Sequence, residues 1–165
     1  MRKTRLYLEA SPIIRIDDNN SPTRQVITRE FFHIVAEKSD EYELFVSPVT
    51  IDEINSAKTT EEKRKASAVF LETIHYTELP ENDEAENLVR TYAIDGVLSQ
   101  ASIDDLRHIA YAVVSRCDYI ITWNMGHLAN ERTVSRVNIV NVAENYGKIY
   151  IATPEFFTGG KIYGK

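Results

Sequence analysis

The stretch from residue 102 to residue 128, SIDDLRHIAYAVVSRCDYIITWNMGHL, constrains this chain most, because it joins an apolar helix to an apolar strand. Ile103, Leu106, Ile109, Ala110, Val113 and Val114 recur at helical spacing behind Ser102, which suits an N-cap. Cys117-Asp118 closes that helix. Tyr119 to Trp123 then reads as a short strand running into the polar loop Asn124 to His127. A helix feeding such a strand is half of a βαβ unit, and open α/β sheets gather their chemistry outside the carboxyl ends of their strands. Asp104, Asp105, His108 and Asn124 are therefore the first candidates for function.

At about 100° per residue, Asp105 falls on the edge of the apolar stripe formed by Leu106, Ile109 and Val113. Asp104 points about 100° further round, toward solvent. Ser102-x-x-Asp105 is also nearly a capping box, and acids in a first turn suit the helix dipole. The residues of this helix taken alone leave both readings of Asp105 open.

A length of 165 residues predicts one domain, and 43% hydrophobic with 27% charged residues suits an ordinary globular core. No apolar run approaches a membrane span, and MRKTR passes straight into strand-like LYLEA without the h-region of a signal peptide. A single cysteine excludes an internal disulfide framework and suits a reducing cytoplasm. Cys117, beside an apolar helix end, reads as a buried, inert thiol. A net charge of −6 argues against gripping nucleic acid by a broad basic surface. It leaves open a contact in which metal ions bridge carboxylates to phosphate.

Along the chain, Arg5 to Leu8 reads as a first strand that ends in Glu9-Ala10-Ser11 before Pro12. Ile13-Ile14 continue as a turn of helix, Asp17 to Asn20 form a loop, and Ser21-Pro22 open a helix to about Lys38. Tyr42 to Val46 is a second strand, broken by Ser47-Pro48. Thr50 then starts a helix with Ile51, Ile54 and Ala57 on one side, so Glu53 occupies the N3 place of a capping box. A further helix runs from Thr59 or Thr60 to about His75. Tyr76 to Leu79 is a short extended link, and Asn82 to Ile94 is helical up to Asp95-Gly96. Beyond His127 a polar helix or loop reaches about Arg136, and Val137 to Val142 precede an Asn145-Tyr-Gly turn. Lys148 to Ala152 is the last strand, Thr153-Pro154-Glu155 starts a short helix, and residues 158–165 form a frayed tail.

Three acids stand at equivalent points: Glu9 after the first strand, Glu53 on the helix after the second, and Asp105 before the central strand. Right-handed crossovers in a parallel sheet bring such points to one edge. Clustered carboxylates suit Mg2+ or Mn2+, which can polarise a phosphodiester and lower the pKa of an attacking water. Without a cation the three would repel, and one would take up a proton.

YLEAS, SPVTIDEI, DDLRHIAYA and YIITWNMGHL, in this order and at these separations, resemble a PIN domain. The chain is similar to the branch of that family that opens on YLETS, and SPTRQVITREFF and NIVNVAENYGKIYIATPEFF fit the same branch, so the resemblance covers nearly the whole chain. It implies a three-layer α/β/α PIN-like fold with a central parallel sheet and a Mg2+- or Mn2+-dependent ribonuclease site. The family's first, second and third acids fall on Glu9, Glu53 and Asp105, and its fourth acidic position on Asn124, which can ligate the metal or hydrogen-bond but brings no charge. Ala10 stands where a hydroxyl residue usually follows the first acid, with Ser11 next. Many such proteins resemble toxins of bacterial or archaeal toxin–antitoxin pairs, dimeric and silenced by a small antitoxin.

His108, one turn after Asp105, is read as a hydrogen-bond partner to a carboxylate, since an imidazole is an unusual ligand in an oxygen-rich Mg2+ site. Ser11 and Asp104 are assigned the same supporting place, and Trp123 and His127 read as packing and loop groups. Two functions follow: an RNA-cleaving toxin with an antitoxin partner, or a PIN-like domain that has lost catalysis and binds RNA or protein. Nine Tyr and six Phe exceed what one core needs, which predicts a homodimer through the helices before Asp95.

Overall fold

The computed structural model describes residues 1–56, 58–97 and 103–159. Five strands make one all-parallel sheet: β1 (Thr4–Leu8), β2 (Tyr42–Val46), β3 (Thr77–Glu78), β4 (Tyr119–Ile121) and β5 (Tyr150–Ala152). Their order across the sheet is β3-β2-β1-β4-β5. The chain winds outward from β1 in one direction and then, from β4, in the other. The point of reversal lies between β1 and β4, where open sheets form their crevice.

Seven described α-helices cover the two faces. Helices α1 (Ser11–Ile14), α2 (Pro22–Glu37), α3 (Pro48–Ile54) and α4 (Glu61–Thr73) lie on the crossovers toward β3. Helices α5 (Asp83–Ile94), α6 (Ile103–Val114) and α7 (Glu131–Ala143) serve β4 and β5. Right-handed crossovers force this change of face at the reversal. The two cores follow strand alternation. Leu6, Leu8, Leu44, Val46 and Ile121 pack with Ile13, Phe31, Phe32 and Val35. Tyr7, Phe45 and Ile120 face Leu88, Tyr92, Leu106, Ile109, Val137 and Val140. Strands covered on both faces can carry an unbroken apolar run, which is why LYL and LFV read as strands without alternation.

Several local readings change. The helix after β2 begins at Pro48 rather than Thr50. Ser47 is its N-cap and Thr50 the return partner of the capping box, so Glu53 has no capping role there. The Tyr76–Leu79 link contains β3, an edge strand in register with Phe45 and Val46. Residues 131–143 are one helix capped by Asn130, not a polar segment followed by a separate apolar one. The helix from Ile103 ends at Val114, ahead of Cys117. Arg116 takes a left-handed φ of 58°, while Cys117 N–H bonds Ala112 O and Arg116 N–H bonds Val113 O. That is a Schellman ending with arginine in the place that favours glycine. Thr158, assigned to a frayed tail, is buried. The N-cap assigned to Ser102, the inward face assigned to Ala57, and tail residues 160–165 lie outside the described residues.

The Thr50 hydroxyl ties α3 to the central strand: it donates to Leu8 O at 2.9 Å and accepts from Ser47 N at 3.3 Å. Thr50→Val keeps the volume but leaves a buried carbonyl and amide without this partner. It should lower unfolding free energy by about 1–3 kcal/mol in denaturant titrations.

Candidate active site at the carboxyl edge of the sheet

The period-two geometry of the strands builds this site. Tyr7 and Phe45 are register partners on the α6 face, as is Ile120 opposite Tyr7 on β4. Two residues further on, the same alternation brings Glu9, Ser47 and Thr122 to that face at the carboxyl ends of adjacent strands. All three are buried polar residues. Glu9 stands at the reversal point, its N–H bonded to Ile121 O.

The Glu9 carboxylate is held from two directions. Its Oε2 accepts from Ser11 N at 2.6 Å and from the Thr122 hydroxyl at 3.2 Å. Ser11 Oγ in turn accepts from Trp123 N at 2.8 Å, locking the turn after β1 against the end of β4. Ser11 therefore serves through its backbone N–H as much as its hydroxyl, which explains how the chain tolerates Ala10 between them. Thr122 was not singled out in the sequence. Its signal was a polar side chain ending an apolar strand run.

Glu53 arrives from α3 and His108 from α6. His108 is fully buried, and its Nε2 lies 3.1 Å from Glu53 Oε1. One ligand atom each from Glu9, Glu53 and His108 lie within 4.8 Å of one another. The structure thus brings together two of the three sequence-assigned acids and adds the imidazole as the third member. Asp105 lies at the rim, its carboxylate 13% exposed and its Oδ2 3.6 Å from His127 Nδ1. Asp104 turns instead to Arg107, at 3.5 Å. Asn124 Oδ1 accepts from His127 N at 3.0 Å, so the oxygen assigned to metal binding closes a loop turn. Trp123 packs as its sequence suggested, donating from Nε1 to Thr28 Oγ1.

Burial raises the Glu9 and Asp105 pKa values above the ordinary carboxylate range. The Glu53 charge adds to the effect, and the His108 charge opposes it. For His108, burial alone would lower the pKa. The Glu53 hydrogen bond and the charges of Glu9, Glu53 and Asp105 outweigh it, and the value is raised. A carboxylate pair and a rim acid whose charges are mutually unfavourable fit a small divalent cation, which would relieve the repulsion. Glu9 and Glu53 are the carboxylates the structure brings within reach of one ion, with Asp105 at the rim. Cys117 lies outside this site, and burial pushes its thiol up to about 12, as befits an inert group.

Fold and cluster together define an open, doubly wound α/β protein with an acidic site at its point of reversal. More narrowly, the fold is PIN-like. It is similar to that of VapBC2 from Rickettsia felis, solved bound to a DNA fragment from their promoter. There the identity is 10%, with 91% of this chain and 98% of that one covered and a TM-score of 0.58. VapBC-1 from nontypeable Haemophilus influenzae gives 17% identity, 92% and 98% coverage and a TM-score of 0.56. A tyrosyl-tRNA synthetase from Archaeoglobus fulgidus, complexed with L-tyrosine, gives 11% identity and 0.53, with 92% of this chain and 54% of that one covered. No family model and no curated protein matches the chain. At these identities the likeness is one of fold, and a fold shared with a synthetase leaves function to be argued from the site.

The raised values set the pH dependence of the metal-free protein. Glu9 and Asp105 bind protons more tightly folded than unfolded, so the stability they contribute is present at low pH and falls as pH rises through the raised values. His108 acts in the same sense, since its charged form is the one stabilised by folding. Melting temperature without metal should therefore fall as pH rises above the ordinary carboxylate and imidazole values. Asp105→Asn should flatten the slope and raise the melting temperature at its alkaline end. Differential scanning calorimetry across that range checks both.

Proposed function

We propose that this chain is a divalent-metal-dependent ribonuclease that hydrolyses RNA phosphodiester bonds, and that it is the toxin of a toxin–antitoxin pair. The observation that carries the reading is the meeting of Glu9, Glu53 and His108 at the reversal point of the sheet, with Asp105 at the rim. Mg2+ or Mn2+ bound there would lower the pKa of a water and neutralise charge on phosphate. The chain's own residues do the rest. Ser11 N–H and the Thr122 hydroxyl orient Glu9, and His108 orients Glu53. Asp105 and His127 line the rim. The Arg24 guanidinium, 5.2 Å from the Trp123 ring centroid, supplies a cation for the RNA backbone.

The likeness in fold to VapBC2 and VapBC-1 supports a protein partner of the antitoxin kind. A homodimer belongs to the same proposal. Val69 and Ile94, on helices before Asp95, are 64% and 85% exposed. Light scattering of micromolar protein should give twice the 18.9 kDa chain mass, and a concentration-independent monomer would refute the dimer.

Asp105→Asn should abolish Mn2+ binding in calorimetry. It should also cut RNA cleavage by more than the roughly 10–100-fold typical of an outer-shell change, while the circular dichroism spectrum stays that of wild type. One observation favours a second reading, a PIN-like module that binds RNA or protein without cutting: Asn124 brings no charge, and its oxygen already accepts from His127 N–H. Wild type that takes up no Mn2+ at millimolar concentration, even with RNA present, would select that reading.

A further inference from the structure

His108 can face Glu53 in two chemically different ways. With a proton on Nε2 it donates a hydrogen bond to the carboxylate. With the proton on Nδ1 it offers Nε2 as a lone pair, and the cluster gains a nitrogen ligand. The hydroxyl groups behind the ring decide between them.

The Thr50 hydroxyl is the donor to Leu8 O, a carbonyl that can only accept. Its proton is therefore committed. Ser47 Oγ accepts from Val49 N at 3.2 Å as the cap of α3, which leaves its proton seeking an acceptor. The Tyr7 hydroxyl lies 2.6 Å away, and it also lies 2.6 Å from His108 Nδ1. Ser47, Tyr7 and His108 are all fully buried, so no bulk water substitutes for a missing partner. If Ser47 donates to Tyr7, then Tyr7 donates to Nδ1 and the Nε2 proton points at Glu53. Every donor and acceptor in the row is matched. Tyr7 donating to Ser47 instead would strand the Ser47 proton, an unsatisfied buried donor. Thr50 Oγ1, 3.4 Å from the Tyr7 hydroxyl, is a longer contact than the 2.6 Å to Nδ1, and turning the Tyr7 proton there would leave a bare Nε2 facing the Glu53 carboxylate at 3.1 Å.

We infer that Ser47, Tyr7 and His108 form a one-way hydrogen-bond row that fixes neutral His108 as the Nε2–H tautomer, making Tyr7 a positioning residue for Glu53. His108 then stands as a donor to Glu53 rather than as a metal ligand. The atoms facing an ion are carboxylate oxygens, the set that suits Mg2+ and Mn2+, whereas a nitrogen would turn the site toward zinc or nickel. The inference draws its consequence for metal from the proposed nuclease site. The tautomer itself is a property of the protein alone.

The experiment follows that separation. His33, His75 and His127 are exposed, so a variant with glutamine at all three leaves His108 as the sole imidazole. Two-bond proton–nitrogen NMR spectra, recorded in alkaline buffer and again with saturating Mg2+, should show a bare Nδ1 and a protonated Nε2. A protonated Nδ1 with a bare Nε2 overturns the inference, whether or not the protein cuts RNA. In the otherwise natural chain, Tyr7→Phe should weaken Mn2+ binding by about 10–100-fold. Ser47→Ala, which loses the α3 cap but leaves Tyr7 able to donate, should lower the melting temperature with Mn2+ affinity little changed. Equal losses of affinity in the two variants, in proportion to lost stability, would reduce Tyr7 to a packing role. Unchanged Mn2+ affinity in Tyr7→Phe would also overturn its positioning role. Wild type without Mn2+ uptake would remove the nuclease reading while the NMR result still decides the tautomer.

Discussion

Glu9 sits 7% exposed at the end of the central strand, and an isolated carboxylate taken out of water costs several kcal/mol unless something answers it. Much of the surrounding architecture is that answer. The turn after β1 folds so that Ser11 N–H points back at Oε2. β4 ends in Thr122, whose hydroxyl does the same. His108 comes in from α6, and its charge is among the influences that draw the Glu9 pKa down against the effect of burial. The offset is incomplete, since the value remains raised. A residue kept at such a cost in the crevice of an open sheet is where function is to be sought.

The same constraint explains how three crossovers cooperate. β1 lies between β2 and β4, so the polar residues that follow Val46 and Ile121 flank Glu9 on both sides. The capping box that starts α3 shares its serine and threonine with the central strand through Tyr7 and Leu8. Helix capping, strand pairing and the placement of Glu53 are thus one structure. A change at Ser47 or Thr50 loosens both the start of α3 and its tie to β1.

Much of this was legible in the residues. The two main strands were bounded correctly because chains buried on both faces leave continuous apolar runs. The α2 helix began where Pro22 had to stand. Glu9 is legible as an acid one step beyond such a strand, and Glu53 as an acid on the helix that follows one. β3 was not, because both its residues are exposed and carry no apolar pattern. Helix α7 is not legible as one element because its polar first turn has the composition of a loop, while Val137 and Val140 pack into the core. Asn124 is assigned by position, and the hydrogen bond its oxygen accepts from His127 N–H comes only from the fold of the loop.

By itself, the sequence determined which residues were available for chemistry and that they would reach one edge, since period two and right-handed crossovers are local rules. Tertiary structure decided which of them meet. That His108 completes the group with Glu9 and Glu53 depends on how α6 lies over the sheet, with Leu106 and Ile109 in the same core as Tyr7 and Phe45 and the His108 ring against Tyr7. The direction of the hydroxyl row behind His108 was equally beyond the sequence. It follows from which carbonyls and amides at the ends of three separate segments are left needing a partner once water is gone.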